Sequence, residues 1–330
     1  MKRALVTGGC GFIGSALTKK LVSTGWTVDI VDDMSNGHLE LLEGLKMRVV
    51  PGDLLGAFYA GNSQREEGVV HIIQSDFSHR GVLKNITDKN YDCVFHQAAV
   101  PRVLYSVENP SETTDTNLAS TVRLLESCIS NVNRVVFASS SSVYGGATTL
   151  PTTESTEKDP KSPYAWQKSA TEDIAKIFGN LYDLDIVCLR YFNVFGPGQY
   201  GDSPYSTAVS AWCNAILNDL PLRSDGDGTQ SRDLCYIDNV VQANMLAATS
   251  SKKFYGKSYN VACGDRTSNG EILDKLSEKF SGIAVNHAPW RKGDVMHTQA
   301  DISSAREDLG YNPEVKFWDG LERTIKWWGI

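Results

Sequence analysis

The sequence predicts an α/β fold, a doubly wound parallel sheet followed by a smaller mixed α/β domain. Three observations predict it. Short apolar runs alternate with amphipathic stretches through the first 190 residues, the pattern of a parallel sheet covered by helices on both faces. A cluster of glycines follows the first run, where a strand must turn sharply into a helix. The rhythm is lost after Phe195, where GPGQYGDSPYS and DGDGTQ read as turns and loops.

In chain order, the expected strands are 3–7, 27–32, 69–74, 93–97, 134–139 and 186–191. Helical periodicity occupies 13–23, 116–130 and 164–182 between them. The stretch 45–68, rich in glycine and charge, breaks the alternation and reads as a surface insertion between the second and third strands. Beyond Phe195 the pattern gives a helix at 207–218, a strand at 222–224, a helix at 239–249, a strand at 258–262 and a helix at 269–280. The expected domains are 1–190 and 191–330, with a segment near 234–255 able to return to the first.

Composition excludes several classes of function. With 330 residues, 41% hydrophobic and 22% charged, the chain can bury a substantial core. A net charge of -7 disfavours nucleic acid as a partner. No run approaches the length of a membrane span, and the apolar part of MKRALVTGG is too short for a signal peptide. The seven cysteines are scattered with no CxxC spacing, so neither a metal site nor a disulfide framework is expected. The protein is expected to be cytoplasmic.

Two motifs carry chemistry. Gly8, Gly11 and Gly14 lie between the first strand and the first helix with GxxGxxG spacing. Small residues there admit a pyrophosphate to the backbone, and the helix N-terminus offers it free N–H groups. Asp32 ends the second strand, 18 residues beyond Gly14. A carboxylate at that place accepts from a ribose 2′-OH and repels a 2′-phosphate, which favours NAD over NADP. The second motif is Tyr164 and Lys168, four apart at the start of a helix and so on one face. An ammonium beside a phenol favours the phenolate, making the tyrosine a base near neutral pH.

TGGCGFIG (7–14), FASSSSVYG (137–145) and YAWQK (164–168), in that order, resemble the extended short-chain dehydrogenase/reductase family. LRYFNVFGPGQ (189–199), GDGTQSRDLCYIDNV (226–240) and RKGDVMHTQADIS (291–303) resemble its nucleotide-sugar epimerase branch, with the bacterial UDP-N-acetylglucosamine 4-epimerases the nearest likeness. The resemblance implies a Rossmann-type NAD domain, a UDP-sugar substrate and a homodimer built through a four-helix bundle from the helices near 116–130 and 164–182. It implies that Tyr164 takes the proton of the sugar 4-OH while C4 gives hydride to NAD. Ser140 would hydrogen-bond the same oxygen, and Lys168 would support Tyr164.

The same likeness assigns further positions. Phe12, Ile13 and Asn36 join the three glycines at the cofactor, with Asp32 at a ribose 2′-OH and Asp76 and Phe77 at adenine. Gln97, Ala98, Ala99, Asn117 and Tyr191 complete that set, Asn117 as a residue ordering active-site water. Ser141 and Ser142 would line the sugar pocket, Asn193, Arg232 and Arg291 would hold the diphosphate, and Asp294 the uridine ribose. Thr298, where hexose-specific relatives carry a bulky tyrosine, would leave room for a 2-acetamido group. Dehydratases of this family place Asp-Glu directly after their catalytic residue, and decarboxylases a Glu; this chain has Ser141 and Ser142. Hydroxyls are poor acids for expelling hydroxide, so the expected reaction is 4-epimerisation. UDP-glucose or UDP-glucuronate epimerases, a dehydratase or decarboxylase, and a non-catalytic NAD-binding regulator stand as alternatives. His96, on an apolar strand, reads as a core histidine.

Overall fold

The computed structural model describes residues 2–52, 68–201, 207–289 and 295–330. Eight strands form one sheet: β1 (Arg3–Thr7), β2 (Thr27–Asp32), β3 (Lys46–Pro51), β4 (Val69–Gln74), β5 (Cys93–His96), β6 (Arg134–Ser140), β7 (Ile186–Tyr191) and, after four short strands, β12 (Lys257–Val261). The short strands are β8 (Val194–Phe195), β9 (Leu222–Asp225), β10 (Ser231–Arg232) and β11 (Cys235–Tyr236). The order across the sheet is β12-β7-β6-β5-β1-β2-β4-β3. The pairs from β6 through β5, β1, β2 and β4 to β3 are parallel. The strand order reverses direction at β1 and β5, the switch point where ligands of doubly wound sheets bind.

The central strands are buried on both faces, and their sequences are continuous apolar runs for that reason: Leu5, Val6, Ile72, Val94 and Val135 are fully buried. Helices Phe12–Ser23, Arg80–Thr87, Thr121–Cys128 and Pro163–Tyr182 belong to this region. Leu5, Val31, Ile73, Leu124, Val135 and Ile186 share one core with Ala175 of the last of these helices. Arg134 at the start of β6 is paired with Asp185, and its remaining donors reach the carbonyls of Ala247, Ser250 and Lys252. This tethers the helix Ile237–Thr249 and its following turn to the strand.

The insertion expected at 45–68 is corrected in its first part. Lys46–Pro51 is the edge strand β3, paired in parallel with β4 along its whole length. Only Val50 of its six residues is buried, while Met47 and Val49 face solvent. An edge strand with one buried residue lacks the apolar run that reveals its neighbours. Residues 53–67 lie outside the described residues. The helix expected at 116–130 is also different: a π turn spans Asp115–Ser120 before the α-helix Thr121–Cys128 begins.

The chain divides into two compact units, Met1–Ser139 with Ser162–Leu189 and Ala243–Tyr259, and Ser140–Lys161 with Arg190–Gln242 and Asn260–Ile330. Relative to a single cut after 190, residues 140–161 lie with the second unit, and the segment returning to the first is 243–259. The second unit carries the helices Ala208–Leu217, Asn269–Lys279, Ser303–Leu309 and Phe317–Trp328, and a parallel pair of β9 with the strand Val285–Ala288. Phe195, Tyr236 and Phe317 form its aromatic centre, against Gly320, where a Cβ would stand 2.6 Å from the Tyr236 ring.

Candidate active site

The turn after β1 is built to leave space for a ligand and none for side chains. A Cβ on Gly14 would stand 2.1 Å from the Gly8 carbonyl oxygen, and one on Gly8 would meet Ala98 backbone at 2.8 Å. Gly8 also has φ +68°, a conformation that favours glycine. The helix Phe12–Ser23 then begins without a side-chain cap at Gly11, so its first N–H groups remain available to an anion. Asp32 closes the other side. Its carboxylate accepts from the backbone N–H of Cys10 and of Met34, both at 2.9 Å. Burial pushes its pKa above the ordinary range, against those two N–H donors. Gly37 allows the loop to fold down onto Asp32, since a Cβ there would lie 2.7 Å from Oδ1. This glycine cradle, edged by a carboxylate, fits a dinucleotide.

The loop after β5 is fixed from two directions. Thr7 Oγ1 accepts from the Ala98 N–H and lies 2.7 Å from His96 Nδ1. The other ring nitrogen of His96 lies 2.9 Å from Thr121 Oγ1. Burial, with the Lys168 charge adding to it, pushes the His96 pKa down to about 3, so the ring is neutral. His96 is therefore a core histidine. Asn117, on the π turn, accepts from the Val100 N–H at 2.7 Å and donates to the Val100 carbonyl at 3.1 Å. It also donates to Gln167, whose own amide reaches Thr113 and Thr114. The Asn117 amide is thus committed to holding the loop. The π turn supplies the offset that aims it there.

Tyr164 and Lys168 lie on the first turns of the helix Pro163–Tyr182, capped by Ser162 Oγ accepting from the Ala165 N–H. Both are buried. The Tyr164 N–H donates to Ser106 Oγ. Lys168 Nζ donates to the Ala138 carbonyl at 2.7 Å and lies 5.8 Å from the centre of the Tyr164 ring. Burial pushes the Lys168 pKa down to about 8, while the nearby Cys188 and Glu172 oppose that shift.

The four serines separate into different roles. Ser139 donates to Glu172 at 2.6 Å, both fully buried, and so anchors β6 to the helix. Ser140 ends the strand, and its Oγ accepts from the Ser142 N–H at 3.2 Å, capping the 3₁₀ turn Ser141–Tyr144. Ser142 Oγ is buried without a hydrogen-bond partner among the described residues, the state expected of a hydroxyl whose partner is a ligand or water.

Within the second unit, Asn193 has φ 35° and donates from Nδ2 to the Asp233 carbonyl and to Thr298 Oγ1. Thr298 Oγ1 in turn accepts from the Asp233 N–H. Arg232 donates to the carbonyls of Ser231 and Met296. Asp233, fully buried, accepts from the N–H groups of Cys263, Gly264 and Ala300. Burial raises its pKa to about 7 against those three donors. This residue ties together the segments bearing Arg232 and Thr298, a role that no motif spacing reveals. Its place inside the SRD stretch was the available signal. Arg291 and Asp294 lie outside the described residues.

Of the remaining positions, Asp76 accepts from Ser78 and shapes a turn. Phe77 is a core residue, edge-on to His96 at 4.8 Å. Gln97 donates to Asn244, Tyr191 is buried at the end of β7, and Ala99 keeps the loop free of bulk. Phe12 and Ile13 are partly exposed on the first helical turn. No metal-binding cluster occurs among the described residues, and no helix among them is long and apolar enough to cross a membrane.

Comparison with known proteins places this arrangement. The family described as NAD dependent epimerase/dehydratase matches residues 4–262. A solved UDP-N-acetylglucosamine 4-epimerase from Methanobrevibacter ruminantium, in complex with UDP-N-acetylmuramic acid, is similar at 36% identity and a TM-score of 0.87, covering 99% of this chain and 97% of that one. The UDP-glucose 4-epimerase of Mycolicibacterium smegmatis is 33% identical over 98% of this chain and 97% of its own. The UDP-glucuronate 4-epimerase of Thermodesulfobacterium geofontis is 30% identical over 98% and 95% respectively. The glycine cradle, the carboxylate at Asp32 and this likeness agree: the chain belongs to the NAD dependent epimerase/dehydratase family, and its cofactor is NAD.

Proposed function

We propose that the protein is a UDP-sugar 4-epimerase acting on UDP-GlcNAc and UDP-GalNAc or their uronates. The observation that carries this reading is the presence in one chain of an intact Tyr164–Lys168 helix turn and of a strand end that offers hydroxyls and no carboxylate at 140–142. NAD, when bound, accepts hydride from C4 and later returns it. Tyr164 takes the proton of the 4-OH and gives it back, with Lys168 keeping the phenolate favourable. Ser140 Oγ donates to the developing C4 oxygen and stabilises it. With serine at 141 and 142, no acid stands ready to expel the 6-hydroxyl or drive loss of a carboxylate, so the oxidised sugar turns over and is reduced on its other face. The N-acetyl preference rests on the small Thr298, supported by the UDP-N-acetylglucosamine epimerase among the similar structures. Asn193, Arg232 and Arg291 hold the diphosphate, and Asp294 the uridine ribose.

The oligomer we propose is a homodimer through the helices Val103–Glu108 and Pro163–Tyr182, which pack on each other. Leu104, Val107, Trp166 and Leu181 on them are exposed apolar side chains, Leu181 at 69%. Large apolar side chains left exposed on two packed helices favour an interface. The helix Thr121–Cys128, by contrast, exposes Arg123 and Glu126, which shifts the expected bundle toward residues 103–108.

Three outcomes are expected. Incubated without added NAD, the purified protein interconverts UDP-GlcNAc and UDP-GalNAc, and Tyr164→Phe lowers kcat by roughly 10²–10⁴-fold. NMR showing a 4-keto-6-deoxy sugar or a pentose contradicts epimerisation, and turnover of plain hexoses alone contradicts the N-acetyl preference. Second, Lys168 is charged below its pKa of about 8 and loses the proton as pH rises through it. Activity should fall about tenfold per pH unit above that point. Lys168→Met gives a slower enzyme lacking this limb, and a wild-type profile flat to pH 10 contradicts the role. Third, Leu181→Glu yields monomers in analytical ultracentrifugation where the wild type sediments as a dimer; a monomeric wild type contradicts the interface.

A further inference from the structure

Strands β5, β1 and β2 are neighbours in that order. Adjacent strands lie about 4.8 Å apart, so the loops leaving β5 and β2 are separated by about 10 Å, with the loop leaving β1 between them. That middle loop is the Gly8–Gly14 cradle leading to the N-terminus of the helix Phe12–Ser23, whose uncapped N–H groups suit a dinucleotide diphosphate. Both outer loops are anchored. After β2, the Asp32 carboxylate holds the Cys10 N–H, and the His38 N–H donates to the Cys10 carbonyl at 2.9 Å. After β5, Asn117 holds both polar groups of Val100. Two residues beyond Val100, at the start of the helix Val103–Glu108, Arg102 reaches across and donates from Nη2 to Asn36 Oδ1 at 2.9 Å. A bond joining these outer loops spans the mouth of the middle one. Its donor is a planar guanidinium, a group suited to phosphate oxygens.

We infer that Arg102 and Asn36 form a clasp over the bound NAD, which retains the cofactor through the catalytic cycle. The inference rests on the proposed epimerisation for its purpose. The cofactor that receives the hydride must be the one that gives it back, and release in mid-cycle would strand an oxidised sugar. Arg102 acts as a positioning residue here, distant in role from the proton transfer at Tyr164.

The test is the exchange of bound NAD in the purified holoprotein for free radiolabelled NAD, measured without any sugar. Arg102→Ala should speed exchange roughly 10- to 100-fold, the loss expected for a hydrogen bond to a charged group. Asn36→Ala should speed it by a smaller factor, because the guanidinium remains but loses its anchor. The melting temperature of the NAD-stripped proteins should be the same for wild type and both variants. Exchange at the wild-type rate in Arg102→Ala overturns the clasp. So does faster exchange accompanied by a matching fall in the melting temperature of the stripped variant, which would mark a loosened fold. Because no sugar is used, a failure of the epimerase reading leaves this result unaffected, and the reverse also holds.

Discussion

At the C-terminal edge of β1 the backbone of several loops closes to distances that admit no side chain. Gly14 sits against the Gly8 carbonyl, Gly8 against Ala98, and Gly37 against the Asp32 carboxylate. Each contact would be lost to a single methyl group. This crowding is what brings Asp32, the uncapped helix start and the loop after β5 to one edge of the sheet. The other fixed groups of the first unit serve it. Thr7 bridges β1 to Ala98, His96 is held neutral between Thr7 and Thr121, and Asn117 clamps Val100. A histidine that titrated near neutrality here would place a charge in the core beside Lys168; burial prevents it.

The second unit is organised by a different buried group. Asp233 is satisfied by three backbone N–H donors, from 263, 264 and 300. A buried carboxyl so bonded costs several kcal/mol if its partners are left unmet, on the order of 3 kcal/mol. It fixes the backbone around Arg232, while Asn193 and Thr298 share hydrogen bonds with its main chain. Thr298 therefore does more than leave space: its hydroxyl is part of this scaffold. A bulkier residue there would have to replace two hydrogen bonds as well as fill volume.

The sheet was legible in the sequence wherever a strand is buried on both faces, because burial writes a continuous apolar run: β1, β2, β4 and β7 lie where the pattern puts them. β3 was not, since only Val50 of its residues needs to be apolar. The glycine cradle and the Tyr164–Lys168 turn were legible because each depends on local spacing. The partners that hold them were not, because Thr7–His96–Thr121, Asn117–Val100 and Ser139–Glu172 join residues 17 to 114 apart in general polar types. The serine run shows the limit most clearly. Four identical residues in sequence become an anchor, a cap and two turn residues only once β6 and its following turn are folded.

In the proposed mechanism one bound cofactor removes hydride from C4 and returns it to the same carbon on the opposite face. A UDP-sugar deuterated at C4, turned over in ordinary water without added NAD, tests it most directly. The epimerised product should carry its deuterium at C4 undiminished, because the transferred hydride never meets solvent. Loss of deuterium from C4, with epimerisation proceeding, would contradict the mechanism.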